Sequence, residues 1–136
     1  MFKLFCVDVG LLGALSGVSA MSLLNGNELF TDFKGALTEQ YVCQQIISFV
    51  GLHPCYWSSS TGKGEVDFVV QVDDYVVPIE VKAEENLQAK SLKVYVEKYS
   101  PKIALRTSMS NYRTESWLVN VPLFAIGNFL KNMMRY

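Results

Sequence analysis

The fold is decided by two neighbouring stretches, Glu65-Val66-Asp67-Phe68-Val69-Val70 and Val77-Pro78-Ile79-Glu80-Val81-Lys82. Both are rich in β-branched residues, and the Asp73-Asp74 pair between them favours a tight turn. We therefore predict a hairpin of two strands, 65–72 and 75–83. Because side chains alternate between the faces of a strand, Glu80 and Lys82 are expected to point the same way. The hairpin should bring two carboxylates and one amine to a single patch.

The rest of the chain alternates between helical and strand patterns. The patterns predict helices over 11–19, from 31 or 32 to about 49, from 86 or 87 to 99, and over 123–134. They predict further strands over 2–9, 55–58, 102–107 and 115–121. Asp8 is expected to cap the first helix, and Gly51 to end the second. The fold class predicted from this order is α/β.

Composition limits the kinds of protein that the chain can be. At 136 residues, half of them hydrophobic, it is long enough for one compact domain spanning 1–136. A net charge of −1 gives no global nucleic-acid signature. However, residues 1–82 carry four lysines against nine acids, and residues 83–136 carry eight Lys and Arg against four acids. The second half is therefore either a basic surface beside an acidic site or a solvated set of charges.

The cysteines and the apolar segments indicate the compartment. The three cysteines are odd in number and lack short metal-ligand spacing, which suits reduced thiols in the cytoplasm. The first 20 residues imitate a secretory signal, but Asp8 interrupts the apolar region. No segment is apolar enough over sufficient length to predict a membrane span. We expect a cytoplasmic protein without a membrane partner.

The charged residues of the hairpin suit metal-assisted chemistry. Mg²⁺ prefers oxygen ligands and keeps several waters, so carboxylates on adjacent elements can hold it. Asp67 and Glu80 are the natural ligands, with the carbonyl of Val81 as a third. Lys82 is placed to orient a water or to stabilise negative charge. Glu39 borders the apolar stripe of its helix and needs a partner there, unless it is simply exposed at the edge of the stripe.

In these positions the chain resembles the PD-(D/E)XK nuclease superfamily. The matching residues are Glu39 on a helix, Asp67 on a strand, and Glu80-Val81-Lys82 on the next strand, and the order matches over about residues 31–107. The resemblance implies a restriction-endonuclease-like core with a mixed central sheet flanked by helices. It also implies hydrolysis of DNA phosphodiesters with Mg²⁺ or Mn²⁺. The catalytic and metal-binding residues would be Glu39, Asp67, Glu80 and Lys82.

A closer resemblance covers nearly the whole chain. The chain looks like the C-terminal domain, generally catalogued as of unknown function, of a prokaryotic AAA+ family ATPase. The matching segments are Lys3-Leu4-Phe5, Asp8-Val9-Gly10-Leu11-Leu12, Phe33-Lys34-Gly35-Ala36-Leu37-Thr38-Glu39, Val42, Tyr56-Trp57, Gly64-Glu65-Val66-Asp67-Phe68 and Ile79-Glu80-Val81-Lys82. The resemblance implies an N-terminal ATPase domain as partner, which would be the part that binds ATP. The proline of the superfamily name is absent here, since Glu65-Val66 precedes Asp67.

Three interpretations of the charged patch remain open. The first is a metal-dependent nuclease domain. The second is a catalytically inactive nuclease-like module that binds nucleic acid or a protein partner. The third is a structural ion pair in which Lys82 neutralises Asp67 and Glu80. The basic residues expected to bind nucleic acid are Lys90, Lys93, Lys98 and Arg106. The oligomeric state is left open.

Overall fold

A computed structural model describes residues 2–17, 19, 21, 28–60, 62, 64–83 and 87–134, without the side chains of residues 28–32. The helices of this part of the chain are α1 (Val9–Leu15), α2 (Glu28–Gln44), α3 (Lys90–Tyr99) and α4 (Ile126–Met133). A π-helical turn (Gln45–Val50) continues α2, and a 3₁₀ turn (Leu123–Ala125) precedes α4. The strands are β1 (Cys55–Ser58), β2 (Glu65–Val72), β3 (Tyr75–Lys82), β4 (Leu105–Ser108), β5 (Arg113–Thr114) and β6 (Val119–Pro122).

The strands form one mixed sheet in the order β1-β2-β3-β4-β6-β5. The first three strands are an antiparallel meander, and β4 pairs parallel to β3. Parallel neighbours need a crossover connection, and α3 supplies it between β3 and β4. β6 is parallel to β4, and the short β5 pairs antiparallel to β6 at the edge. The predicted α/β class, with a mixed central sheet flanked by helices, is confirmed.

Two apolar cores cover the two faces of the sheet. The larger core lies between the sheet and the helices α2 and α4, and it contains Ile46, Phe68, Ile79 and Leu130. The smaller core lies beneath α3 and contains Val66 and Leu92. Ala104 belongs to the smaller core and its neighbour Leu105 to the larger one, as alternation along a strand requires. The hairpin of β2 and β3 therefore lies between two covered faces.

Two glycines explain how the helices of the larger core end and approach each other. Gly51 has φ 82° and ends the π-helical turn in the left-handed conformation, as predicted for this residue. Gly127 of α4 lies so close to the π-helical turn that a Cβ atom there would be 2.8 Å from the Phe49 ring. A side chain at position 127 would therefore require the Phe49 ring or α4 to shift.

The largest difference from the sequence prediction is at the N-terminal side. Residues 2–8 form an irregular segment and not the predicted strand. Asp8 does cap the following helix, because its Oδ1 accepts a hydrogen bond from the amide of Leu11 at 2.9 Å. That helix is α1, which ends at Leu15 and not at residue 19. The predicted turn at 25–27 lies outside the described residues.

The other differences are shifts of boundaries. α2 begins at Glu28, before the predicted 31 or 32, and α3 begins at Lys90, after the predicted 86 or 87. The predicted loop at 108–114 contains the edge strand β5, and the strand predicted over 115–121 is confined to β6. In the described part of the chain, no helix combines the length and the apolar character needed to cross a membrane.

Candidate functional site

The site lies at the open end of the β2–β3 hairpin. The two strands pair from Val72 opposite Tyr75 to Phe68 opposite Ile79. Just beyond that last pair, Oδ2 of Asp67 accepts a hydrogen bond from the amide of Val81 at 2.8 Å. The Asp67 carboxylate is thereby fixed between the strands, next to the segment that carries Glu80 and Lys82.

Glu80 and Lys82 point the same way, as alternation predicted. Nζ of Lys82 lies 2.8 Å from Oε1 of Glu80. Glu80 is only 6% exposed, and its second oxygen, Oε2, has no hydrogen-bond partner among the described residues. Burial raises the pKa of Glu80, and the charge of Asp67 raises it further, against the hydrogen bond from Lys82. A buried acceptor without a partner costs free energy, so this oxygen is a place where a donor or a cation would be stabilised.

A second lysine, Lys3, lies among the remaining carboxylates. Its Nζ is 2.8 Å from Glu65, 3.2 Å from Glu39 and 3.5 Å from Asp67. Burial works to lower the pKa of this ammonium, but the hydrogen bond with Glu65 and the charges of Glu39 and Asp67 outweigh it and raise the pKa. We call the carboxylates of Glu39, Glu65, Asp67 and Glu80 the acid cluster.

Glu39 is a member of the acid cluster whose pKa is raised by burial and by a neighbouring carboxylate. It lies on α2 and is partly buried, as its position beside the apolar stripe indicated. Burial raises its pKa to about 7, and the hydrogen bond and negative charge of Asp67 add to the effect, while Lys3 opposes it. The two carboxylates therefore share a site that favours a proton or another cation between them.

The position of Lys3 is set by residues 2–8, which we call the docked segment. Gln40 of α2 is 1% exposed, and its side-chain amide both accepts from the Cys6 amide and donates to the Cys6 carbonyl, each at 2.8 Å. One turn further along α2, Oε1 of Gln44 accepts from the amide of Val9 at 2.9 Å. The ring of Phe5 packs 5.6 Å from that of Phe68. These contacts hold the docked segment along α2.

The site fits a divalent cation in its donor chemistry. Carboxylate oxygens are the ligands that Mg²⁺ and Mn²⁺ prefer, and the buried Oε2 of Glu80 lacks a partner. The side chains are not arranged as a metal site in this structure. The described residues contain no group of three or more Asp, Glu, His or Cys side chains placed to hold a metal ion. The ammonium of Lys3 lies between Glu39 and Asp67 instead. A metal ion held by both would require Lys3 to move.

Of the predicted nucleic-acid-binding residues, Arg106 requires correction. It is 3% exposed, and its guanidinium donates to Asn120, to the carbonyl of Leu87 and to Glu115. Arg106 lies in β4 within the sheet, so the expectation that it contacts nucleic acid is wrong. The other three residues lie exposed on α3, and they are Lys90, Lys93 and Lys98.

Three residues of the site were missed by sequence reasoning. Glu65 could have been found, since it lies two residues before Asp67 on the same strand. Lys3 and Gln40 gave no local signal, because Lys3 is 36 residues from Glu39 and Cys6 is 34 residues from Gln40. Only the tertiary arrangement brings them together.

Comparison with known proteins identifies the family. The family model described as "Domain of unknown function (DUF4143)" matches residues 34–125, which is more than half of the chain. The chain therefore belongs to this family, and the expectation of a domain of unknown function is confirmed. The matched residues include Glu39, Asp67, Glu80 and Lys82 but not Lys3. No curated protein and no solved structure matches the chain.

Proposed function

We propose that the chain is a nuclease-like domain that hydrolyses DNA phosphodiesters with the help of a divalent cation. The observation that carries the proposal is the buried Glu80 carboxylate, which has one oxygen on Lys82 and the other without a partner among the described residues. A structural ion pair alone gives no reason to bury an unpaired charged oxygen. The resemblance to the PD-(D/E)XK order supports the same proposal.

Each residue of the site would have its own role in hydrolysis. Asp67 and Glu80 would hold Mg²⁺ or Mn²⁺, with Glu39 and the Val81 carbonyl completing the protein ligands. When bound, the cation supplies an activated water and neutralises charge on the phosphate. Lys82 would orient that water or stabilise the developing negative charge, a role that suits an ammonium held in place by a buried carboxylate. The hydrogen bond from the Val81 amide keeps Asp67 in position for this.

The resemblance to the C-terminal domain of AAA+ ATPases supports a partner domain that binds ATP. We propose that this partner precedes the chain in the full-length protein. DNA and the ATPase domain are thus the two partners of the proposal, and the cytoplasm is the proposed location.

The first experiment tests for the metal site. We expect millimolar Mg²⁺ or Mn²⁺ to raise the Tm of the wild type, because a ligand that binds only the folded state stabilises it. The increase should disappear in Asp67→Asn and in Glu80→Gln. The matched control is Asp74→Asn, which removes an exposed carboxylate paired with Lys102 at 3.1 Å, in the turn at the other end of the hairpin. The absence of any shift in the wild type would contradict the metal-dependent proposal.

The second experiment tests for chemistry. Single-stranded, duplex and branched DNA should be cleaved by the wild type and left intact by Lys82→Met, with the metal-dependent Tm shift retained. Loss of both cleavage and metal binding in Lys82→Met would instead indicate that Lys82 only supports the carboxylates.

The alternative is a catalytically inactive module that binds nucleic acid or a protein partner. Two observations favour it: protein ammonium groups already accompany the acid cluster, and α3 carries three exposed lysines. Binding of DNA without cleavage would support this alternative. Replacing Lys90, Lys93 and Lys98 by alanine should then reduce the slope of log K against log salt concentration by about 0.9 for each phosphate that the protein no longer neutralises.

A further inference from the structure

The docked segment makes contacts that are independent of the acid cluster. Gln40 forms two hydrogen bonds with the backbone of Cys6, and Phe5 packs against Phe68 in the larger core. None of these contacts involves a charged group. Packing and neutral hydrogen bonds therefore contribute to the position of the segment, and Lys3 is carried into the acid cluster with it.

Lys3 acts in this position as a bridging cation. Its ammonium joins Glu39 of α2 to Glu65 and Asp67 of β2, at distances from 2.8 to 3.5 Å. An ammonium has three donors, so these three carboxylates use its capacity fully. It leaves unsatisfied the Oε2 of Glu80, which is buried in the neighbouring strand.

We propose that Lys3 is an intramolecular competitor of the divalent cation, and that the docked segment controls access of the cation to Glu39 and Asp67. This inference rests on the proposed function, because it regulates the metal site proposed there. A divalent cation and the Lys3 ammonium would compete for the same oxygens, Oε1 of Glu39 and Oδ1 of Asp67. Binding of the cation is therefore coupled to withdrawal of Lys3.

The surroundings of Lys3 allow such an exchange. The docked segment forms one wall of a cavity of about 540 Å³ whose lining includes Phe2, Lys3, Phe5 and Asp67. The side chains of Phe2, Leu4 and Val7 are largely exposed, so much of the segment is not buried in the core. Release of the segment would open the acid cluster from this side while the sheet stays intact.

The test compares the affinity for Mn²⁺ of three proteins by isothermal titration calorimetry. We expect Lys3→Met to bind Mn²⁺ about tenfold more tightly than the wild type, since a partly buried ion-pair network no longer has to be broken first. The matched control is Lys102→Met, which removes a lysine from an exposed ion pair with Asp74. The control should bind Mn²⁺ as the wild type does.

A second variant keeps every charge in place. Gln40→Leu removes both hydrogen bonds to Cys6 and retains Lys3 and the acid cluster, so it should also tighten Mn²⁺ binding by loosening the docked segment. Lys3→Met leaves the four carboxylates of the acid cluster with one lysine and could fail to fold for that reason. In that case the Mn²⁺ affinity of Gln40→Leu tests the competition by itself. Hydrogen exchange of the Cys6 and Val9 amides in the wild type should accelerate when Mn²⁺ is added.

The outcomes separate this inference from the proposed function. Equal or weaker Mn²⁺ binding in both Lys3→Met and Gln40→Leu overturns the competition and leaves the metal site standing. If the variants bind Mn²⁺ more tightly than the wild type but no protein cleaves DNA, the competition is supported and the proposed nuclease activity is overturned. Absence of Mn²⁺ binding in the wild type and in both variants overturns the competition and the metal-dependent function together.

Discussion

Among the residues that the structure describes, two networks of charged side chains differ in how far each charge is matched by opposite charges and hydrogen bonds. In the first, Arg106 of β4 donates to Asn120 at 2.9 Å, to the Leu87 carbonyl at 2.8 Å and to Glu115 at 2.5 Å. Ser108 donates to the same Asn120 oxygen at 2.9 Å. We call this the Arg106 network. The second is the acid cluster, in which four carboxylates share two lysines and one buried oxygen lacks a partner among the described residues.

The difference separates a network in which a buried charge is matched by protein partners from one that carries an excess of negative charge. A buried guanidinium whose three nitrogens each donate a hydrogen bond fixes the elements that carry it, here β4, β6 and the approach to α3. An excess of negative charge at a partly buried site lowers stability, unless a cation or a proton compensates it. We therefore expect opposite responses when a charge is removed from each network.

The largest effect should follow from breaking the Arg106 network. Replacing Arg106 with methionine leaves the Leu87 carbonyl without this donor, removes one of the two donors to Oδ1 of Asn120, and leaves Glu115 without its buried partner. We expect the free energy of unfolding to fall by about 3–5 kcal/mol, as when one member of a buried ion pair is removed. Urea denaturation followed by circular dichroism measures it.

The control for this variant is Arg113→Met. Arg113 also contacts Glu115, at 2.8 Å, but its side chain is 57% exposed. An exposed ion pair of this kind contributes about 0–1 kcal/mol. Similar losses in the two variants would mean that burial does not distinguish the Arg106 network from an ordinary surface pair.

The second prediction is that removing the charge of Glu39 raises the stability of the protein at high pH, whereas removing Arg106 lowers it. Because the folded-state pKa of Glu39 is raised from 4.5 to about 7, its destabilising charge is absent below pH 4.5 and fully present above pH 7. Stability of the wild type should therefore decrease, relative to Glu39→Gln, as the pH rises through this window. After allowance for solvent screening of a partly exposed group, we expect a relative change of about 1–2 kcal/mol.

The measurement is urea denaturation of both proteins at pH 5 and at pH 8. Comparison at equal pH cancels the contributions of the titrating groups that do not interact with Glu39. Glu97→Gln, an exposed position on α3, serves as the control and should follow the wild type. A Glu39→Gln variant that is less stable than the wild type at pH 8 would show that Lys3 fully compensates the charge.

The local part of the site could be predicted from the sequence. Alternation along β3 placed Glu80 and Lys82 on one face, and the two are 2.8 Å apart. The Asp73-Asp74 turn fixed the register that brings Asp67 beside Val81. These relations depend on neighbours within one hairpin, where periodicity and turn chemistry suffice.

The long-range part could not be predicted. The apolar alternation of residues 2–9 suits a strand, but two glutamines of α2 bind backbone groups of this segment, which lies along α2 and is not a strand. A glutamine within a helix gives no indication of which distant backbone it will bind. Arg106 was misjudged for a similar reason, because its acceptors Asn120 and Glu115 come from later elements. Charge counts along the chain cannot separate a buried arginine from a surface one.

The smallest expected effect concerns the free-energy cost of a buried oxygen that has no hydrogen-bond partner. Oγ1 of Thr107, next to Arg106 in β4, is fully buried and also has no hydrogen-bond partner among the described residues. Because this oxygen is uncharged, we expect Thr107→Val to be neutral or stabilising by up to about 1 kcal/mol in urea denaturation. Ser108→Ala is the control and should lose about 1 kcal/mol, since that hydroxyl donates to Asn120.

The result for Thr107 bears on Glu80. A gain in Thr107→Val shows that an unpartnered oxygen in this sheet is a cost that the fold tolerates. The same cost at Glu80 is larger, because the oxygen belongs to a carboxylate, and it is then best explained by a ligand that binds there. A destabilisation of more than about 1 kcal/mol in Thr107→Val would mean that a buried water serves the hydroxyl. A water could then serve Oε2 of Glu80 in the same way, and only the Mn²⁺ titrations would distinguish a cation from that water.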